Sequence, residues 1–435
     1  HPLSRRQRQM CIRDSIYCYH CRTSDATLKL PVKKKSPKTF AFLLLITVGS
    51  FAYQPHVKGT EPAGFRASSA DTVDRSRPRA RDIGINVGIL DPGPLNAITD
   101  VHGVLVGHAT LISGSSVNTG ATAIRPHGGN LYVDRVPAGF YRGNGYGKFA
   151  GATQIVELGE LESPIVLTNT LSVSKGIEAA IAWTLDQPGN ESVRSVNAVV
   201  GETNDGYLND IRGRHLTASL IRESIENAQA GPVDEGSIGA GRGSVLFGWK
   251  GGIGTSSRQL PASLGGYTIG VLVQANYGGV LMVDGIPVGE ALGQYFMSDM
   301  ADDRQADGSV IVVIATDAPL SDRNLTRVAS RAMLALGRTG SPATNGSGDY
   351  SIAFSTAESV RRGISDIPIN GLANQKMSPL FQATVEATEE AILNALFTAN
   401  TVEGHKGTIE AINIDEVRSI IGSYRYDDTK NKSDD

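Results

Sequence analysis

The stretch QADGSVIVVIAT, residues 305–316, sets a hydroxyl, Ser309, at the mouth of an apolar run and directly after Gly308. Gly308 has no side chain to shield its carbonyl. A chain cut before Ser309 would carry a free α-amine beside its own hydroxyl, and an amine of reference pKa about 7.7–8.0 is a usable general base near neutrality. The chemistry on offer is acyl transfer to a serine that becomes an N-terminus by self-cleavage between Gly308 and Ser309. The plainer alternative is a turn that opens a buried strand, and the residues alone leave both open. Two further places could supply a site. ETNDGYLND, residues 202–210, crowds Glu202, Asn204, Asp205, Tyr207, Asn209 and Asp210 at the end of an apolar run. Strand ends of α/β proteins are where sites are built, although a lone Glu there is commonly a solvated turn residue. Asn276 closes VLVQAN in the same way, and its amide can donate to a developing oxyanion.

Other chemistries lack their residues. There is no G-x-S-x-G elbow and no H-E-x-x-H. The histidines after residue 52 are scattered at 56, 102, 108, 127, 215 and 405. His102 and His108 could face a metal from opposite ends of a hairpin, but they fit better as caps of strand ends. The glycine-rich run 236–258 matches neither phosphate-loop pattern and is expected to lie close to a ligand or to another backbone segment. All three cysteines, Cys11, Cys18 and Cys21, precede residue 53. The Cys18–Cys21 pair has no second pair to complete a zinc site, so neither metal nor cofactor is expected.

The first 52 residues are set aside as a non-native leader followed by a signal peptide. Lys33–Lys35 form a basic start, Phe40–Ala52 an apolar core of thirteen residues, and Ser50-Phe51-Ala52 a cleavage pattern. A membrane anchor is the alternative, but a span takes about 20 apolar residues. Export implies a periplasmic or secreted protein that leaves the membrane once the signal is removed. The remainder carries 31 basic against 42 acidic residues, a net charge of −11. That balance argues against a nucleic-acid partner, which needs a basic footprint.

What must position the candidates is a layered α/β body. Residues 53–82 are polar, with Pro, Gly and Ser, and are expected to be a flexible leader; 83–435 follow as a single domain. Apolar runs predict strands at 163–169, 196–202, 267–276, 309–315 and 350–356. Helical spacing predicts helices at 174–187, opening on a Ser cap, at 322–338, opening on Asp322, and at 378–399. Continuous apolar strands with helices between them imply sheets covered on their faces.

Blocks spread over about 83–425 resemble, in order, the L-aminopeptidase/D-esterase (DmpA) family, which includes β-peptidyl aminopeptidases. They are NAITDVHGVLVGHATL, ATAIRPHGGN, NGYGKFAGATQIVELGELESPIVLTNTLSV, GETNDGYLNDI, KGGIGTSSR, LVQANYG, DGSVIVVIATDAPL and NGSGDYSIAFST. The resemblance implies a four-layer αββα sandwich like that of N-terminal-nucleophile hydrolases, with different connectivity. It also implies a precursor that cuts itself, here into 83–308 and 309–435, and assembles as a tetramer of processed heterodimers. By motif, Ser309 matches the nucleophile, Ser347 and Asp349 its supporting serine and acid, and Asn276 the oxyanion donor. Glu202 matches the acid that binds the substrate's free amine, and Tyr207 a tyrosine lining the site. Some members carry Glu where Asp349 stands, and Arg242 departs from the smaller or neutral residue expected in its loop. The substrate implied is a small peptide or an amino-acid amide or ester, with β-amino acids among the candidates. The alternatives are an acyltransferase of the ornithine acetyltransferase-like fold, against which Ser309 counts because those enzymes use threonine, and a non-catalytic envelope binding protein.

Overall fold

The computed structural model describes residues 76–298, 308–363 and 371–431, with side chains to 426. They fall in one compact unit, Phe65–Asp435. The signal-like segment and the cysteines lie outside the described residues.

In chain order the first part runs β1 (Leu105–Ser113), β2 (Val117–Arg125), β3 (Val136–Gly145), β4 (Phe149–Ala150), α1 (Ala152–Leu158), β5 (Glu160–Leu161) and β6 (Ile165–Asn169). Then come α2 (Val173–Leu185), β7 (Val199–Thr203), α3 (Ala218–Glu226), β8 (Val245–Leu246), β9 (Trp249–Lys250), β10 (Gly252–Gln259) and β11 (Thr268–Asn276). The rest is α4 (Val288–Ala291), β12 (Ser309–Thr316), α5 (Asp322–Thr339), β13 (Gly348–Ser355), α6 (Ser378–Phe397), β14 (Val402–Gly404), β15 (Gly407–Ile409) and α7 (Ile414–Asn431). One sheet has the order β1-β2-β6-β7-β4, the other β10-β11-β12-β13-β3-β5.

The two-residue period of β12 shows why these sheets stack. Val310, Val312 and Ile314 turn to one face, where they join Leu325, Val328 and Leu336 of α5 and Leu380, Ala387 and Leu393 of α6. Ile311, Val313 and Ala315 turn to the other and meet Ile124, Ile165 and Val199 of the first sheet. That sheet buries its outer face (Ala121, Ala123, Val166, Val200) under α2 and α3 through Ala180, Trp183, Ile221 and Ile225. Three apolar layers therefore separate four structural layers, helix–sheet–sheet–helix.

All five expected strands form, shifted by up to three residues at their ends. The third expected helix begins at Ser378 as expected, with Pro in its first turn, while the other two open differently. Ser172, not Ser174, is the residue at the start of α2, and it makes no side-chain cap. Ser321 rather than Asp322 caps α5 by accepting from the Asn324 N–H, and the helix passes through Gly337 to stop at Gly340. The leader boundary also moves. Ala80 is wholly buried, and the Arg77 guanidinium donates to the carbonyls of Phe397 and Ile412 at 2.9 and 2.7 Å, so the end of the 53–82 segment is docked.

From Ala383 to Phe397 helix α6 is buried on all sides, carboxylates included. Glu386 and Glu390 face Arg258 of β10 at 3.2 and 2.7 Å, all three fully buried, and Glu390 also takes Arg81 at 2.9 Å. Each charge is paired, which is what makes its burial tolerable. Of the two readings of the glycine-rich run, close approach to backbone holds. A Cβ on Gly252 would stand 1.8 Å from the Gly236 carbonyl oxygen, and one on Gly254 1.9 Å from that of Ala391.

Candidate active site

Ser309 is the first residue of β12, which lies between antiparallel β11 and parallel β13. The registers put Asn276 opposite it on one side and Gly348 on the other. Gly348 leaves room: a Cβ there would be 2.4 Å from the Tyr146 carbonyl oxygen and 3.2 Å from Ser309 Oγ. In place of a side chain it offers its N–H, 3.2 Å from Ser309 Oγ and 3.2 Å from the carbonyl oxygen of Gly308. One backbone donor thus touches both the hydroxyl and the carbonyl of the Gly308-Ser309 bond. Ser309 itself is buried.

Ser347 and Asp349 flank Gly348 in sequence and are both buried. The Ser347 hydroxyl donates to Asp349 Oδ1 at 2.6 Å. Asp349 Oδ2 is shut from solvent without a partner among the described residues. Burial raises the Asp349 carboxyl above its ordinary range, an effect that the Ser347 hydrogen bond partly offsets. A lone acceptor oxygen of this kind is suited to receive a proton or an ammonium.

Asn276 is fixed by two bonds. Its Oδ1 accepts from the Val245 N–H at 2.8 Å, and its Nδ2 donates to the Asn204 carbonyl at 3.2 Å. The first sets which end of the amide carries the donor. Val245 is delivered by the short hairpin β8–β9, whose Lys250 is wholly buried. The Lys250 amine donates to the carbonyls of Gly241 and Gly251 at 3.0 and 2.5 Å, and burial, then nearby Arg242, push its pKa well down. Arg242 itself donates through Nε to Asn118 Oδ1 at 3.0 Å.

Glu202 stands on β7 of the other sheet and is buried. Its Oε1 accepts from the Lys148 N–H at 2.9 Å, and the Thr170 hydroxyl donates to its Oε2. The loop between β3 and β4 connects it to the surroundings of Ser309. A Cβ on Gly147 would lie 3.1 Å from Glu202 Oε1, 3.7 Å from the Tyr350 ring and 3.8 Å from Gly348 Cα. The polar cluster 202–210 divides. Asp205 turns inward, accepting from the Thr119 hydroxyl at 2.6 Å and the Asn209 amide at 3.1 Å, and burial lifts its carboxyl to about 6. Tyr207 turns outward, 44% exposed, its hydroxyl beside Gly407 at the β14–β15 hairpin. The structure thus gathers Gly308, Ser309, Asn276, Ser347, Asp349 and Glu202 around Gly348, while Tyr207 leans on the hairpin instead.

The strand-end reading fails for His108. His108 lies inside β1, its Nδ1 2.9 Å from Thr122 Oγ1, and burial lowers its imidazole to about 4; His102 stands in the turn before that strand. Among the described residues no group of three or more His, Cys, Asp or Glu could hold a metal. Thr170, Lys148 and the Val245 N–H escaped sequence reasoning because each meets its partner through the fold; Gly348 was in view inside NGSGD without a role.

Residues 96–410 match the model of peptidase family S58. The β-peptidyl aminopeptidase BapA of Sphingosinicella microcystinivorans is 40% identical over 381 residues, 82% of this chain and 95% of that protein. The chain belongs to peptidase family S58. Solved structures similar to this S58 peptidase include a Burkholderia sp. β-aminopeptidase, 39% identical with a TM-score of 0.73. Another is the L-aminopeptidase D-Ala-esterase/amidase of Ochrobactrum anthropi, 36% identical with a TM-score of 0.74, described as a prototype for the serine aminopeptidases and a variant of the Ntn hydrolase fold. Each covers 80% of this chain and 99% of its own. The S58 peptidase is accordingly a hydrolase of the aminopeptidase class on an Ntn-type α/β fold. The acyltransferase and binding-protein alternatives find no support among these relatives.

Proposed function

We propose that this aminopeptidase is a self-processing enzyme whose nucleophile is Ser309. The observation that carries the reading is the single Gly348 N–H within 3.2 Å of both Ser309 Oγ and the Gly308 carbonyl oxygen. In processing, Oγ attacks the Gly308 carbonyl carbon. The Oγ proton passes to the departing Ser309 nitrogen, leaving an ester and a free α-amine. Water then splits the ester into the Gly308 carboxylate and the Ser309 hydroxyl. In turnover the α-amine takes the Oγ proton as Oγ attacks the substrate's acyl carbon, then gives it to the leaving amine; water releases the acyl group. Gly348 N–H and Asn276 Nδ2 are the donors for the oxyanion in both reactions. Asp349 Oδ2 is the acceptor for the new ammonium, and Ser347 holds the other oxygen in place.

Glu202 binds the free ammonium of the substrate, which makes the enzyme an aminopeptidase rather than an amidase. The aminopeptidase relatives support small peptides and amino-acid amides or esters as substrates, with β-amino acids among them. The basic and apolar residues 33–52 support export to the periplasm or medium. Assembly as a tetramer of processed heterodimers rests on the family resemblance. The test is Ser309→Ala: wild type should run as two bands on a denaturing gel, the smaller beginning at Ser309 by N-terminal sequencing, and the variant as one inactive chain. Any other N-terminus on the small fragment overturns the assignment.

A further inference from the structure

The carboxylate proposed to receive the substrate's ammonium already has a cation beside it. Lys148 Nζ lies 3.6 Å from Glu202 Oε1, with the lysine side chain 55% exposed and the glutamate 3% exposed. At that distance the contact is an ion pair without a good hydrogen bond. The two firm bonds to Glu202, from the Lys148 N–H and the Thr170 hydroxyl, take two of about four lone-pair sites on a carboxylate and leave room for an ammonium. The backbone bond survives any side chain at 148. What the Lys148 side chain adds is a primary ammonium beside Glu202, on the solvent side. That is the same chemical group that a free-amine substrate presents.

We infer that the Lys148 ammonium is a built-in competitor for the amine subsite: it occupies Glu202 when the site is empty and must swing into solvent before the substrate's ammonium can bind. This rests on Glu202 as the amine acceptor. Lys148 is then a specificity-determining residue. It raises KM for every substrate whose free amine must displace it from Glu202. The lysine end of the pair is exposed and its 3.6 Å contact lacks a good hydrogen bond, so the pair is weak, which sets the effect at about two- to five-fold in affinity. Once displaced, Lys148 leaves the Ser309 chemistry untouched.

The experiment measures kcat and KM for H-Ala-p-nitroanilide and H-β-Ala-p-nitroanilide on processed wild type, Lys148→Met, Lys148→Arg, Glu202→Gln and the double variant Lys148→Met/Glu202→Gln. Lys148→Met should lower KM by about two- to five-fold for both substrates with kcat within two-fold, and Lys148→Arg should restore the wild-type KM. Against the Glu202→Gln background, Lys148→Met should change KM by less than 1.5-fold, roughly the effect of an unpaired charge near the surface. A KM that stays the same or rises in Lys148→Met, while Glu202→Gln loses amine recognition, overturns the competitor and leaves the subsite standing. If Glu202→Gln alone leaves KM and amine recognition intact, the subsite reading falls and takes the competitor with it. Two bands on a gel and an unchanged melting temperature separate either result from misfolding.

Discussion

Gly308→Ala tests whether the scissile bond is placed by the fold. A Cβ at 308 would stand 2.1 Å from the Asn276 carbonyl oxygen, 2.5 Å from Tyr277 Cα and 2.8 Å from the Asn276 carbonyl carbon. All three are backbone atoms at the end of β11, which is hydrogen-bonded to strands on both sides. They cannot yield as a side-chain tip would. Ordinary contact between such atoms is about 3.5 Å, so residue 308 must move by roughly 1 Å or more. The same movement draws its carbonyl away from the Gly348 N–H, now at 3.2 Å. A misplacement of about 1 Å can cost about 100-fold in rate. The assay is a time course of the two bands appearing from freshly made precursor, and the variant should take at least about 100 times longer. After cleavage residue 308 is a carboxyl terminus and no longer part of the bond being broken, so kcat per processed chain should stay within two-fold. Processing at the wild-type rate would refute the steric argument.

Three other outcomes can be checked alongside. Asn276→Asp keeps an acceptor for the Val245 N–H but removes the donor; kcat should fall by about 100-fold or more with KM changed less than three-fold, and a kcat within ten-fold of wild type removes Asn276 from the oxyanion role. Glu202→Gln should lower kcat/KM for H-Ala-p-nitroanilide by about 10- to 150-fold, the loss of a charge-assisted hydrogen bond. Wild type should ignore the N-acetylated substrate; equal cleavage of both forms would contradict amine recognition. The Asp205 carboxyl is held at about 6 against 3.8 when free, so its contribution to stability is present below pH 3.8 and is lost as pH rises through 6. Asp205→Asn should lessen the fall of melting temperature between pH 4 and 6.5, to which the Asp205 titration contributes roughly 2–3 kcal/mol at about 1.4 kcal/mol per unit. Parallel curves for the two proteins would discount the titration.

The central strands were legible because each presents an unbroken apolar run. β12 is buried on both faces, and no polar position interrupts it. β10 was not, since its sequence GIGTSSRQ looks like a loop. Its small residues are selected by contact instead, Gly254 lying against α6, and its Arg258 is neutralised by two glutamates about 130 residues away. Site residues at strand ends could be anticipated from position alone, which is how Ser309, Asn276 and Glu202 came into view. Their partners could not. Thr170 and Lys148 reach Glu202 only after two strands of the first sheet and the β3–β4 loop are in place. Within 202–210 the sequence gives no sign that Asp205 turns in and Tyr207 out, because a tight turn breaks the alternation that would have told them apart.

The order β10-β11-β12-β13-β3-β5 carries one further consequence. The proposed cleavage before Ser309 would assign β12 and β13 to one fragment and their neighbours β11 and β3 to the other, so the cut chain would interleave two molecules within a single sheet. The pairs of Arg258 with Glu386 and Glu390 cross the same divide. Neither fragment can leave without tearing the sheet, so dissociation and unfolding become one event. Renaturation changes its kinetic order: the uncut chain refolds as a solitary molecule, whereas the cut one must first find its counterpart, and its recovery depends on concentration. A peptide bond cut in this way would be a scaffold that can be used only once.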